Sequence, residues 1–299
     1  MQLRDKDSFI KYYNAARNPY THKGDYGRVF IIAGCEGMTG AAMLCAESAI
    51  RTGAGLVYLF APGKLLPVYE VGCKEAVKIK VGDDKTSFFE ENHVAQVVEA
   101  IKSAKDSVCV VVGPGLGTNT QTKKFVHGVL AEFSNSNIPV ILDADGLNSY
   151  KNKLYEERKM PRKLIITPHT GELSRLMGMT AEYINENRKE AAKKAAREIG
   201  AIVVLKGNES IVCSENPLQE IYINTTGNAG MATGGSGDVL AGILAGLTAS
   251  DTDKNTCFEI TCCGVFIHGL CGDMASAKYG QRAVKAGDLI DMLKEVVLL

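Results

Sequence analysis

A chain of 299 residues, 45% of them hydrophobic, can bury a core large enough for one big α/β domain or two ordinary ones. Its 34 basic and 34 acidic side chains balance and are dispersed, which leaves no basic stripe to neutralise a nucleic-acid backbone. The opening "MQLRDKDSFIKYYNAARNPY" has no apolar h-region, and no stretch reaches the roughly 18 uninterrupted apolar residues of a membrane span, so the expectation is a soluble, cytoplasmic protein without a nucleic-acid or membrane partner.

Short β-branched runs recur along the chain with helical stretches between them. "RVFIIAG" at 28–34 leads to a helix over 40–53, "GLVYLFA" at 55–61 to a helix over 92–104, and "SVCVVVG" at 107–113 to a helix over 119–134. "PVILDAD" at 139–145 and "KLIITP" at 163–168 follow, then a helix over 182–199 closed by Gly200, then "AIVVLKG" at 201–207. Near-continuous apolar strands belong to a sheet covered on both faces, and their alternation with helices implies parallel βαβ units.

"ESIVCSENPLQEIYIN" reads as two strands joined by a turn at Asn216 and Pro217. The final third is helical, over 236–249, 256–277 and 286–297. Nine cysteines lie mostly in apolar runs such as "DSVCVVVG" and "ITCCGVF", without a C-x-x-C pair or a His/Cys cluster at metal-ligand spacing, and read as small core residues. With no repeat, low-complexity tract or Pro/Ser linker, residues 1–22 form an N-terminal extension and 23–299 a single domain.

"ATGGSGDVLAGILAGL" is a glycine turn feeding a helix whose Val239, Leu240, Ile243, Leu244 and Leu247 give it a core-facing side. Its first turn therefore presents the backbone N–H groups of Gly235, Ser236, Gly237 and Asp238 at the positive end of the helix dipole, a site for an anion. Glycine suits this place because a Cβ would keep a phosphoryl group from the amides. Asp238 repels a bound phosphate, so its natural task is that of general base toward a hydroxyl about to accept the phosphoryl group. No G-x-x-x-x-G-K-[ST] occurs, so this is not a P-loop.

A glycine turn followed by Gly-Ser-Gly-Asp, opening a late helix in a long α/β chain, resembles the ribokinase-like fold. More narrowly, the chain resembles the ADP/ATP-dependent NAD(P)H-hydrate dehydratases, which repair hydrated nicotinamide cofactors. Four further stretches carry that likeness in the family's order: "KGDYGRVFIIAGCEGMTGAA" at 23–42, "GPGLG" at 113–117, "DADGLN" at 143–148 with "TPHTGE" at 167–172, and "LKG" at 205–207. The resemblance implies that ADP, or ATP in some members, phosphorylates the hydroxyl that hydration put on the ring, and that phosphate then leaves to regenerate NADH or NADPH. It also implies Mg2+, a homo-oligomer with a tetramer as one form, and a functional pairing with an NAD(P)H-hydrate epimerase.

By the same resemblance, Gly40 and Ala41 lie along the hydrated substrate, with Gly117, His169 and Asp238. "VILDADGLN" ends a buried strand with Asp143 and Asp145, and buried carboxylates persist only when paired, hydrogen-bonded or metal-bound. Asp143 is thus a candidate for magnesium, directly or through water, or else a structural cap; Asn148 could serve similarly. Glu172 of "TPHTGE" is the second metal candidate, with Thr167 or Thr170 available as helix caps.

Lys206 stands at a strand end where its ammonium can meet phosphates. Along with Gly207, Asn208, Glu209 and Ser210 it matches the family's nucleotide segment, although Glu209 is unusual there and Ser210 replaces a usual threonine. Asn228, Gly230, Met231, Thr233 and Gly237 complete the nucleotide set by resemblance, while Gly235, Ser236 and Gly237 join Asp238 in the catalytic turn. Two other functions share parts of this pattern: a sugar or vitamin-precursor kinase of the same fold, and a non-catalytic nucleotide-binding protein.

Overall fold

The structure, a computed structural model, describes residues 5–104, 107–150, 160–216, 221–251 and 255–296. Nine strands form one sheet: β1 (Arg28–Ile32), β2 (Leu56–Pro62), β3 (Val77–Val81), β4 (Val108–Val112), β5 (Val140–Leu142), β6 (Leu164–Ile166), β7 (Ile202–Leu205), β8 (Ile211–Cys213) and β9 (Tyr222–Ile223). Their order is β3-β2-β1-β4-β5-β6-β7-β8-β9, parallel through β7 and antiparallel for the last two. The order steps outward in both directions from β1 and β4, so the loops leaving these two strands diverge and open a crevice at their carboxyl ends.

Around the sheet lie α1 (Lys6–Tyr13), α2 (Thr39–Arg51), α3 (Leu66–Gly72), α4 (Val94–Lys102), α5 (Thr120–Glu132), α6 (Asp145–Asn148), α7 (Thr170–Met177), α8 (Ala181–Glu186), α9 (Arg188–Ile199), α10 (Ser236–Ser250), α11 (Cys257–Tyr279) and α12 (Ala286–Leu293). Strand residues alternate between two cores. Val29 and Ile31 of β1 join α1, α2, α10, α11 and α12 on one face, whereas Phe30 and Ile32 join α4, α5, α7 and α9 on the other. The sheet is therefore covered by helices on both faces, as its apolar strands required.

Several boundaries differ from the sequence reading for local reasons. The helix over 182–199 is two, α8 and α9, broken at Asn187, whose φ of −127° and ψ of 43° are not helical. β3 escaped detection because "VKIKV" alternates apolar residues with Lys78 and Lys80 on an exposed sheet edge, where lysines deter a further strand from pairing. The β8–β9 pair is antiparallel as read, but Pro217 of the proposed turn lies outside the described residues. The segment before residue 23 also contributes to the core: Phe9 is buried and packs on Tyr222 and Phe266, with ring centroids at 5.6 and 5.5 Å.

The helix α11 is long and apolar enough to cross a membrane, yet most of it is buried inside the fold. Its apolarity is that of a core helix packed on α10 and α12. All nine cysteines are free, and all but Cys257 are buried.

Candidate active site

The loops leaving β1, β4, β5, β6 and β7 all open at the carboxyl ends of parallel strands, and α10 points its N-terminus at the same edge. Gly235 precedes α10 with φ of 94°, a left-handed conformation that favours glycine, and supplies no side-chain cap. Ser236 N–H makes only a long bond to the Thr233 carbonyl at 3.4 Å. The N–H groups of Gly235, Gly237 and Asp238 have no acceptor among the described residues, so three of the four expected donors are free and the fourth is weakly held.

Beside them stands a charged cluster. Lys206 Nζ donates to Asp143 Oδ1 at 2.8 Å and lies 3.9 Å from Glu172 Oε2. Thr167 Oγ1 donates to the same Asp143 oxygen at 2.6 Å. A Cβ added at Gly237 would lie 3.3 Å from Lys206 Nζ and 3.9 Å from Asp143 Oδ2, so the ammonium sits directly over the first turn of α10. Burial works against the Lys206 charge, but Asp143, Glu172 and Asp238 outweigh it and hold its pKa above the ordinary lysine value.

Asp238 shows the opposite balance. Burial and the neighbouring Asp143 push its carboxyl up to about 6, against the pull of Lys206. A carboxylate of that affinity is ionised at neutral pH yet basic enough to take a proton from a hydroxyl, which is the property a general base needs.

The two acids of "DADGLN" do not act together. β5 ends at Leu142, and Ala144 adopts φ of 48° and ψ of −116°, an uncommon conformation for a residue with a side chain. The chain turns there, leaving Asp143 on Lys206 while Asp145 starts α6 and accepts the Gly117 N–H at 2.9 Å and the Asn148 amide at 3.2 Å. Asp145 therefore fixes the loop after β4, and Arg175 donates to Asn148 from behind, at 2.9 Å.

Cation ligation by Asp143 and Glu172 is limited by these bonds. Glu172 Oε2 accepts the His169 N–H at 2.9 Å and His169 Nδ1 accepts the N–H groups of Gly171 and Glu172, so the helix cap is His169 itself, not Thr167 or Thr170. Among the described residues no three His, Cys, Asp or Glu side chains are grouped to hold a metal. Asp143 Oδ2 and Glu172 Oε1 accept no hydrogen bond among the described residues, the latter lying 3.5 Å from His169 Nε2. The donor set fits an ion carried mainly by phosphates and water, not a resident metal.

On the far side of Lys206 and Gly237 opens a cavity of about 440 Å3. Lys206, Gly207, Asn208, Glu209, Ser210, Asn228, Met231 and Gly237 all line it, which brings together eight of the residues assigned to the nucleotide. Glu209 has φ of 51°, and Ser210 Oγ turns back to the Gly207 carbonyl at 3.0 Å. Gly230 and Thr233 do not line this cavity. They face a neighbouring depression with Gln281 and Arg282, and a Cβ at Gly230 would press on Ser276 Oγ and the Gln281 carbonyl, so close packing explains that glycine. The sequence reading missed Asn224, Thr226, Val265, His268 and Gly269, which also line the cavity. The signal available was a polar His-Gly step inside the otherwise apolar "GVFIHGLCG" of α11.

On the opposite side of α10 lie the first-strand loop and the N-terminus of α2. Gly242 abuts Cys45 and Ser48, and Gly246 abuts Ala49 and Thr52, so α2 and α10 run parallel in contact. One turn nearer their N-termini the same register brings Asp238 level with Ala41. A Cβ at Gly40 would meet nothing within 4 Å, which places Gly40 beside open space, and Gly117 meets Cys35 of the same loop. His169 is half-exposed at the rim, at 55%.

A doubly wound sheet, an uncapped glycine turn opening a late helix, a raised Asp238 in that turn and a lysine over its amides define an enzyme of the ribokinase-like class. The chain belongs to the NAD(P)H-hydrate dehydratase family, whose sequence profile it matches over residues 29–295. A bifunctional NAD(P)H-hydrate repair enzyme of Moorella thermoacetica is 36% identical over 276 residues, covering 92% of this chain and 50% of that one. The ADP-dependent (S)-NAD(P)H-hydrate dehydratase of Neisseria meningitidis is 34% identical over 92% of this chain and 86% of its own length. The crystal structure of the ADP/ATP-dependent NAD(P)H-hydrate dehydratase from Bacillus subtilis, co-crystallised with ATP and Mg2+, superposes with a TM-score of 0.80 at 27% identity, covering 96% of this chain and 94% of that one. The chain thus spans about half the length of the bifunctional relative.

Proposed function

We propose that this protein dehydrates hydrated NADH or NADPH with ADP, or ATP, as phosphoryl donor, giving the reduced cofactor, phosphate and AMP or ADP. The observation that carries the reading is Asp238, raised to about 6, in the turn whose Gly237 and Asp238 amides and overlying Lys206 converge between the 440 Å3 cavity and the α2 loop. The nucleotide occupies the cavity with its terminal phosphate on the turn, and the hydrated ring lies on the Gly40, Ala41, Gly117 and His169 side.

Asp238 takes the proton of the ring hydroxyl as its oxygen attacks the terminal phosphorus, and the bond from phosphorus to the bridging oxygen of the nucleotide breaks. The Gly237 and Asp238 amides, with Lys206, hold the charge on the phosphoryl oxygens during transfer. The carbon–oxygen bond of the phosphate ester then breaks, a ring proton is lost, and the ring double bond returns. Phosphate leaves where hydroxide would not. Magnesium, when bound, would neutralise nucleotide phosphate charge, and Asp143 and Glu172 are the residues that would hold it, directly or through water.

The names of the relatives support ADP as the first donor to test. An epimerase acting on the two hydrate epimers is the functional partner we infer, and a homo-oligomer, in the form of a tetramer, is the assembly to examine by light scattering. The deciding experiment mixes the purified protein with hydrated NADH, magnesium and either ADP or ATP, following absorbance at 340 nm and phosphate release together. Return of the reduced-nicotinamide band with stoichiometric phosphate supports the reading and names the donor. A stable phosphate ester without that band would assign the chain to the kinases of this fold instead.

A further inference from the structure

Because Gly235 has no side chain to cap α10, something else must fix the direction of the first-turn amides. The contact comes from α11. The His268 ring donates its Nε2–H to the Ser236 carbonyl at 2.9 Å and lies 3.3 Å from Ser236 Oγ. A carbonyl can only accept, so that bond fixes the proton on Nε2. Burial holds the imidazole neutral, with a pKa pulled down to about 4 although the carbonyl bond favours the proton; Lys206 nearby adds to the lowering. A neutral donor holds the turn without placing a second cation beside Lys206.

The helix reaches this position through its small residues. A Cβ at Gly269 would strike Thr226, and one at Gly272 would strike the Met231 side chain. Farther along α11, Asp273 accepts the Gly227 N–H at 2.9 Å and the Asn228 amide at 2.8 Å, and Ser276 donates to Asn228 Oδ1 at 2.7 Å. One helix therefore braces two separate parts of the site: the α10 turn through His268, and the cavity loop at 227–228 through Asp273 and Ser276.

We propose that His268 is a positioning residue for the anion-binding turn, its Nε2–H to the Ser236 carbonyl directing the Gly237 and Asp238 amides onto the terminal phosphate of the bound nucleotide. This rests on the phosphoryl-transfer reading above. It also makes a distinction that general stabilisation of the fold does not. AMP lacks the phosphate to be transferred and is indifferent to the turn's orientation, whereas ADP depends on it.

The test titrates AMP and ADP, each with magnesium, into the wild-type protein and into His268→Leu, His268→Asn and His268→Gln by calorimetry. Glutamine carries an amide donor near the position of imidazole Nε2; leucine has none, and asparagine is too short to reach. His268 also lines the cavity, so the leucine and asparagine variants can weaken both nucleotides, but they should lose about tenfold more affinity for ADP than for AMP, the scale of a lost oriented donor. Their kcat should fall with the hydrate KM unchanged, and glutamine should restore ADP binding to within about threefold.

Equal losses for AMP and ADP, no loss for either, or a glutamine variant no better than asparagine would overturn the proposal. Should leucine prevent folding, the asparagine and glutamine pair makes the same comparison. Wild-type protein that releases no phosphate from ADP or ATP in the presence of hydrated NADH would overturn the phosphoryl-transfer reading itself, and this inference with it.

Discussion

Replacing Asp238 by asparagine should make the protein more stable and nearly inactive. The carboxyl titrates at about 6 instead of the ordinary 3.8, because burial and Asp143 penalise its charge more than Lys206 relieves it. Each tenfold in proton affinity corresponds to about 1.4 kcal/mol, so the ionised group strains the fold by up to roughly 3 kcal/mol. Water still reaches the half-buried side chain, and about 1–3 kcal/mol is the range to expect.

The sign follows from the direction of the shift. The folded state holds this proton more tightly than the unfolded state, so the penalty is absent below about pH 3.8, grows as pH rises, and is complete above about 6. Asparagine removes it. With an unfolding entropy of about 2.1 cal/mol/K per residue, a chain of 299 residues should gain about 2–5 °C in Tm at pH 7.5. Near pH 4.5 most of that gain should vanish. Turnover should fall by roughly two to four orders of magnitude, the scale of general-base loss, and wild-type kcat/KM should decline below about pH 6 as the base is protonated. Differential scanning calorimetry at the two pH values, paired with the 340 nm assay, decides the matter. A variant less stable than wild type at pH 7.5, or one with near-normal turnover, would refute the reasoning that Asp238 is held against its own electrostatics for catalysis.

Gly237→Ala should raise the ADP KM and lower kcat while the protein stays folded, because the new methyl group would stand 3.3 Å from Lys206 Nζ in the space the phosphate needs; unchanged steady-state kinetics would remove the turn from the site. Lys206→Met should cost about 3–5 kcal/mol in stability by leaving Asp143, whose side chain is 1% exposed, without its ion-pair partner. Adding Asp143→Asn should recover part of the loss, and strict additivity in denaturant melts would contradict the coupling.

The alternation of apolar strands and helices was legible because a parallel sheet covered on both faces must be apolar along whole strands, and "SVCVVVG" and "AIVVLKG" are. The anion turn was legible for a local reason: glycines followed by an acid and a helix can be read within a few residues. What escaped depends on distant pairings. Nothing in "DADGLN" says that Asp143 meets Lys206 while Asp145, two residues on, meets Gly117; the turn at Ala144 separates them. The polar His268 stands out in an apolar helix, but its task was hidden for the same reason, since its partner Ser236 lies 32 residues away. The hidden helix cap at His169 shows the converse case, where proximity in sequence suggested two threonines but geometry chose the imidazole.

The glycines inside α10 allow close helix packing, and the structure gives that packing a task that can be tested. Gly242 and Gly246 let α10 lie directly against Cys45, Ser48, Ala49 and Thr52 of α2. This close, parallel contact sets the level of Asp238 against Ala41, and therefore the distance between the base and the substrate side of the cleft. Gly242→Ala would drive a methyl group into Ser48 Oγ and the Cys45 carbonyl. The backbone carbonyl cannot rotate away, so the helices must separate, at a cost of about 1–3 kcal/mol. A displacement there swings the α10 N-terminus, so kcat should fall by tenfold or more although the substituted residue touches neither ligand. Ser48→Ala in the same chain should relieve only part of both effects, because the Cys45 carbonyl remains. Full activity in a destabilised Gly242→Ala protein would show that the helix contact stabilises the fold without setting the geometry of the base.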